Sequence, residues 1–407
     1  MPAAETIRWK GREATRLDNG VIELVTLTQG GHLASLRFPG DAEKASGNVF
    51  WEPPWPTYDD VTELPADVLK TYGPSGEDLF MAGYTGHCLC LDFFGEPSRE
   101  QIAAGLRLHG EAAAAKWDVK GPAQTENPYC RWHAGLPITG LELERTVRLG
   151  AQESVAYIQE TVHNKRAADH TCDWVQHATF GPPFLQEGES SVAVSGGRAK
   201  TWPLDYENGM LLEKDKEFVW PFAPCEEKGK VIDIRQPFST QGRGLVATTL
   251  LDLRRETQHL VAVNWKTRVG VGYCFRRRDF PWMTIWEENC SRQSTPWNGR
   301  TQARGMEFGS TPLPLGSVEN SRRPPLFDTP SQCVIPGGGA KTARYLVFLF
   351  TAPDGMRSVQ NVELEKDAII LSDEPNRPSM SIRAQGCADF LSETSPGEVP
   401  LGRIQRS

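Results

Sequence analysis

Leu141-Glu-Leu-Glu-Arg-Thr-Val-Arg-Leu149, then Gly150-Ala-Gln-Glu-Ser154, then Val155-Ala-Tyr-Ile-Gln-Glu-Thr-Val162, is the stretch on which the fold turns. In the first run apolar and charged residues alternate, which places its leucines on one face of an extended strand. The next five residues are small or polar and carry the glycine that a tight reversal favours. The second run is of similar length and rich in β-branched and aromatic residues. The pair reads as an antiparallel hairpin with one buried face.

Runs of the same kind recur along the chain. Residues 21–27 and 32–38 flank the turn at Gly30-Gly31, and further strands are expected at 245–251, 259–265, 268–275, 345–351 and 362–371. Only residues 98–105, opened by Ser98 and closed by Gly105, carry helix signals. No fixed-period repeat is visible, which disfavours a propeller or solenoid. With 38 glycines and 30 prolines in 407 residues, turn formers make up about 17% of the chain against a usual 12% or so. The expected fold is all-β: a large antiparallel β-sandwich with few short helices, one domain over 1–407 and a core over about 20–351. Segments near 51–78, 202–236 and 316–331 are rich in Pro, Gly or charge and read as loop insertions. Residues 352–407 form a C-terminal extension with room for a further strand and a frayed last dozen residues.

The net charge of −8 argues against a nucleic-acid or anionic-membrane surface, both of which need a basic field. No apolar run approaches the roughly 20 residues of a membrane helix, and the first residues hold no apolar signal core. Nine cysteines include no Cys-x-x-Cys pair. Cys88 and Cys90 share one face of a strand, but a zinc site wants two such pairs, so the thiols read as free and buried. A reducing, cytoplasmic setting is expected, with no metal.

Three residues stand out for chemistry. His109 precedes Gly110, where the backbone can turn sharply and present the ring to a cleft. His177 ends a strand pattern just before Gly181-Pro-Pro183. Glu307 lies between Met306 and Phe308, so as a strand residue it points away from both. Each has a bland reading of its own, as a structural histidine or a solvated strand glutamate.

In their order along the chain these segments resemble the galactose mutarotase (aldose 1-epimerase) superfamily, and its aldose-epimerase-like branch in particular. The resemblance is carried by Gly30-Gly31-His32, by Gly105-Leu-Arg-Leu-His109-Gly110 with Trp117, by Val162-His-Asn164 with Trp174-x-x-His177, by Gly305-Met-Glu307, and by Val334-Ile-Pro-Gly-Gly338 before Tyr345-Leu-Val-Phe-Leu-Phe350. It implies a β-supersandwich with a sugar-binding face and a small-molecule carbohydrate as partner, with no cofactor and no metal. It implies Glu307 as base, His177 as acid and His109 as a second hydrogen-bonding histidine. The implied activity is interconversion of anomers of an aldose or sugar derivative, and the alternative is a non-catalytic carbohydrate-binding protein of the same fold.

Two of the family's residues have no clear counterpart. Arg99 and Arg107 are the candidates for its sugar-binding arginine, and Asp252 and Glu288 for its second acid. Trp51, Trp55, Trp282 and Trp286 offer flat platforms for sugar faces, and Arg276-Arg-Arg278 reads as an anion grip or a solvated turn. Ring opening removes the anomeric O–H proton while the ring oxygen gains one. Acid and base are therefore expected to face each other across a sugar, from distant strands, with polar atoms on the order of 5–8 Å apart.

Overall fold

Leu141–Leu149 and Val155–Asn164 do form the hairpin, with Leu141 opposite Asn164 and Leu149 opposite Ala156. Every second residue from Leu141 to Leu149 is buried. The computed structural model describes residues 2–40, 47–61, 64–73, 76–206, 209–374 and 377–393. The expected frayed end lies outside them.

The hairpin sits inside an eight-stranded antiparallel sheet. Its order is Ser190–Val194, Thr257–Asn264, Val269–Arg276, Ala340–Thr351, Val155–Asn164, Leu141–Leu149, Tyr129–Leu136 and Asp118–Ala123. A twelve-stranded antiparallel sheet packs against it. That sheet begins with Ala3–Trp9, Arg12–Asp18, Glu23–Leu27, Leu33–Arg37 and His87–Asp92. It continues through His170–Phe180, Gln302–Gly309, Trp282–Asn289, Arg243–Leu251, Gly196–Thr201 and Glu217–Val219, with Cys333–Ile335 beside the start of His170–Phe180. One apolar core joins the facing sides, with Leu143, Val147, Ile158 and Phe275 from one sheet and Leu89, Trp174, Met306 and Phe308 from the other. Phe275 stacks on Phe308 at 4.2 Å between ring centroids.

Two elements differ from the sequence expectation. The sheet starts at Ala3 rather than near residue 20, and Ala4 and Leu17 belong to the core. Residues 362–371 are not one strand but parts of two, Asn361–Glu365 and Ala368–Glu374, paired across Lys366-Asp367. With Arg377–Arg383 and the helix Cys387–Ser392 they form a third layer. Ile369, Leu371, Ile382 and Leu391 cover Val155, Tyr157, Phe348 and Phe350 on the outer side of the eight-stranded sheet. Strands covered on both faces lose their alternation, which is why 345–351 reads as an unbroken apolar run. The short helix is Arg99–Ala103, started by a capping box between Ser98 and Gln101.

Arg145 falls in phase with the buried leucines of its strand and is 1% exposed. Its guanidinium meets Glu160 at 2.7 Å across the hairpin. Glu160 also accepts from Trp174 Nε1 (3.1 Å), Gln176 Nε2 (2.6 Å) and Tyr345 Oη (3.1 Å). A buried carboxylate stripped of its cation keeps its desolvation cost, so Arg145→Met should destabilise the fold by about 3–5 kcal/mol. Adding Glu160→Gln should restore part of that loss. Urea unfolding of the two single variants and the double variant checks it: a strictly additive double variant would contradict the pairing.

Candidate active site

The floor of the site is four neighbouring strands of the larger sheet: His87–Asp92, His170–Phe180, Gln302–Gly309 and Trp282–Asn289. His177 lies directly opposite Cys88 on one side and Glu307 on the other. Ala178, Met306 and Phe308 point into the sandwich core. Alternation therefore turns His177 and Glu307 to the outer face. There Trp51, Phe80, Tyr84, Phe94, Leu108 and Trp297 close over Cys88, Cys90 and Val175. They leave a cavity of about 300 Å³ that His109, His177 and Glu307 all line.

Within it, His177 Nε2 approaches Glu307 Oε1 to 3.0 Å. The ring N–H is not aligned on that oxygen, which has no in-line hydrogen bond, so charge attraction carries the contact. Burial works against a proton on His177, but the adjacent Glu307 carboxylate outweighs it and raises the pKa to about 9. On the other side of the ring, Nδ1 lies 3.1 Å from Tyr84 Oη and 3.0 Å from Thr179 Oγ1.

His109 behaves in the opposite way. Burial first, then the charges of His177 and Arg292, hold its pKa well below the ordinary histidine value. The Gly95 N–H donates to its Nδ1 at 3.2 Å, so the neutral ring carries its hydrogen on Nε2. The ring is clamped between Phe94 and Phe80 and lies 5.3 Å from the His177 ring. Its backbone is left-handed (φ 67°), as is that of Gly110 (φ 91°). A side chain at Gly110 would place Cβ 2.0 Å from the Leu91 carbonyl oxygen. The histidine-glycine pair thus turns the chain as its sequence setting indicates.

Gly305 has a related role. A Cβ there would lie 2.2 Å from Glu307 Oε1 and 3.0 Å from His177 Cε1. The missing side chain is the space the carboxylate occupies.

Of the other residues singled out in the sequence, Trp286 lines the cavity, its ring 6.1 Å from His177. Trp51 does not. It stacks on Trp297, which in turn meets Trp286 edge-on at 6.0 Å. Glu288 lies beneath the rim, where its carboxylate accepts from Tyr206 Oη (3.0 Å), Ser291 Oγ (2.8 Å) and the Arg292 backbone N–H (3.0 Å). Arg107 lines a separate cavity with Asp60 and Glu111. Arg99 is exposed on its helix, Asp252 pairs with Arg254 at 3.0 Å, and Arg276 is buried against Asp279 at 2.6 Å. Trp282 donates to the Pro330 carbonyl oxygen under the third insertion.

Residues that the sequence reading did not single out complete the cavity. Among them are Tyr84 in the wall and Trp202, Asp205, Tyr206 and Arg292 on the rim. Three of them come from the insertion over 202–236. Arg292 packs its guanidinium among the rings of Trp297 (5.0 Å), Tyr206 (5.4 Å) and Trp286 (5.8 Å). No pattern marks these positions beforehand, apart from their place in or near a loop too rich in aromatics for a linker. Among the described residues no three side chains of His, Cys, Asp or Glu converge as a metal site requires.

No family model and no curated protein matches the chain. Solved structures do share its fold. A galactose mutarotase-like protein from Clostridium acetobutylicum is similar over 86% of this chain and 98% of its own, with a TM-score of 0.56 and 12% identity. A protein named as a candidate aldose 1-epimerase from Klebsiella pneumoniae is similar over 83% and 79%, at 0.57 and 15%. A galactose mutarotase related enzyme from Lactobacillus acidophilus is similar over 86% and 99%, at 0.51 and 13%. The fold is the galactose mutarotase-like β-sandwich.

Two outcomes follow from the paired charges. In a ring-resonance titration His177 should lose its proton at about pH 9, and Gly305→Ala, by pushing the carboxylate aside, should lower that value while leaving the protein folded. An unchanged titration would mean the carboxylate does not need the space. The folded pKa is raised above the unfolded value of about 6.5. The pair therefore stabilises the fold fully below pH 6.5 or so, and this contribution is lost as pH rises through about 9. Urea midpoints at pH 6 and pH 10 should diverge more for the parent protein than for Glu307→Gln.

Proposed function

We propose that the protein is an aldose 1-epimerase-like isomerase that interconverts the anomers of an aldose or sugar derivative by opening and reclosing the ring. The observation that carries this is the charged His177–Glu307 pair, an acid with its proton beside a carboxylate, on the floor of a cavity of about 300 Å³ that His109 also lines. The likeness of fold to proteins named as mutarotases or aldose 1-epimerases supports the same reading.

The separation of acid and base differs from the expectation of two groups facing each other across a sugar. They are on adjacent strands at 3.0 Å. The chemistry accounts for this. The anomeric hydroxyl and the ring oxygen are bonded to the same carbon, so the groups serving them must be neighbours. Glu307 takes the proton of the anomeric O–H, the electron pair of that bond forms the carbonyl, and the bond from the anomeric carbon to the ring oxygen breaks. His177 gives its Nε2 proton to the departing ring oxygen. After rotation about the bond between the first two carbons, the same steps in reverse close the other anomer and return both protons. His109, neutral and with hydrogen on Nε2, is a donor for the oxygen that gathers charge as the ring opens. Trp286 and the rim residues Trp202 and Tyr206 supply flat apolar surface for the sugar. No cofactor enters these steps. Nine free cysteines, eight of them buried, go with a reducing, cytoplasmic setting.

The alternative, a protein that binds sugar without turning it over, is separated by kinetics. Glu307→Gln keeps the shape of the side chain but cannot take the proton, so it should slow anomerisation by about 10²–10⁴-fold with sugar affinity within a few-fold of the parent. His177→Asn should do the same. Polarimetry or saturation-transfer NMR on freshly dissolved pure anomers reads both. A parent protein that binds a sugar yet never exceeds the spontaneous rate would leave the binding reading standing instead.

A further inference from the structure

We propose that Tyr84 and Thr179 are positioning residues that hold the Nδ1 proton of His177, so that Nε2 alone trades a proton with the substrate. This rests on the proposed isomerase chemistry and adds to it the assignment of the ring nitrogens.

The geometry is specific to one side of the ring. Thr179 follows His177 by two residues on the same strand and so leaves the same face. Tyr84 comes from the loop before His87–Asp92, its ring stacked on Phe80 at 4.9 Å and edge-on to His177 at 5.7 Å. Their hydroxyl oxygens lie 3.1 and 3.0 Å from Nδ1 and also bond to each other. The Tyr84 hydrogen has a second acceptor in the Gly86 carbonyl at 3.4 Å. Both hydroxyl hydrogens thus have oxygens to donate to, which leaves lone pairs for Nδ1–H. Burial pushes the Tyr84 pKa well up, so its hydroxyl stays neutral. The titratable neighbours of His177 include Glu307 at Nε2, His109 beside the ring, Cys88 opposite on the next strand, His87 on the interior side of that strand, and Tyr84 itself. Of these only the Tyr84 hydroxyl bonds Nδ1.

The arrangement matters in the second half of the reaction. Once Nε2 has given its proton to the ring oxygen and Glu307 holds the anomeric proton, His177 is neutral and must take a proton back at Nε2. That requires the remaining hydrogen to sit on Nδ1. A neutral imidazole without such acceptors prefers its hydrogen on Nε2, and in that form it cannot accept there. The two hydroxyls select the useful form, as second partners of functional histidines do elsewhere.

The test uses the full chain with Glu307→Gln as background, because the neutral amide imitates the protonated glutamate. Nitrogen-15 NMR above the His177 titration should show the neutral ring with hydrogen on Nδ1. Adding Tyr84→Phe and Thr179→Val, both close in shape to the parent side chains, should move it to Nε2. Hydrogen on Nε2 while both hydroxyls are present, or no change when both are removed, overturns the proposal. With Glu307 intact, the double variant should lose about 10–100-fold in kcat with KM within a few-fold, and Thr179→Ser should recover most of the Thr179→Val loss. Should the parent protein prove to have no anomerase activity, the isomerase reading falls while the ring assignment is still decided by the nitrogen-15 spectrum.

Discussion

The antiparallel register of His170–Phe180 against Gln302–Gly309 is the constraint on which the rest depends. In a strand the side chains alternate faces, so a slip of Gln302–Gly309 by one residue would carry Glu307 into the sandwich and Met306 and Phe308 out of it. Neither exchange is tolerable. The interior side holds the Phe275–Phe308 stack and the largest apolar cluster, and the outer side holds a charged pair in a walled cleft. Core and site thus enforce each other through a single choice of pairing. The same register places Gly305 beside Glu307 and Trp286, where only the absence of a side chain lets the carboxylate lie against the imidazole.

Directly beneath the cleft the sandwich is not dry hydrocarbon. Gln176, the chain neighbour of His177, bonds Glu160 of the opposite sheet, and its carbonyl oxygen takes a hydrogen bond from His87 and shares the Tyr345 hydroxyl hydrogen with Glu160. His87 meets Tyr273 on its other nitrogen, with burial holding its pKa well below the ordinary value. Arg145 closes the network and lies over the Trp117 ring at 4.4 Å. Hydrogen bonds of this kind are directional where apolar contacts are not, so they set how one sheet sits on the other as well as how firmly. A floor tied in this way keeps His177 and Glu307 at a fixed separation, as the proposed proton exchange with two oxygens on one carbon would require.

Much of this was legible in the sequence, for physical reasons that also mark the limit. Strands with one covered face declare themselves by alternation, as Leu141–Leu149 does, and His109 and Glu307 stand where a glycine or flanking apolar residues dictate direction. Strands covered on both faces do not alternate, and the three-layered end of the molecule, beyond residue 353, was readable only as room for one more strand. Arg145 is the clearest lesson. It occupies an apolar phase of the pattern, and only the partner Glu160, fifteen residues on, makes that position sensible. The wall and rim are where pattern fails. Tyr84, Trp202, Asp205, Tyr206 and Arg292 sit on or next to loops, and loops have no period from which to predict direction. Trp51, Arg107 and Glu288 share composition with true lining residues but stand behind it or apart from it.

That division between strands and loops has a chemical logic. The groups proposed to move protons sit mainly on strands, whose positions are set by paired neighbours. The groups that would judge the shape of a sugar sit on the 202–236 insertion and on the segment after Trp282–Asn289, and they are joined into one array. Trp286 Nε1 donates to Tyr206 Oη (2.9 Å), Tyr206 donates to Glu288, and Glu288 holds the backbone of Arg292. A change in any one of these would therefore shift the others together while leaving the floor in register. The proposed anomer interconversion acts only at the anomeric carbon, so under that reading the floor needs no knowledge of the remaining hydroxyls and discrimination among sugars would fall to the rim. A chain can keep the pairing of such strands and drift far in sequence elsewhere, which is how this fold is shared with solved structures at 10–15% identity.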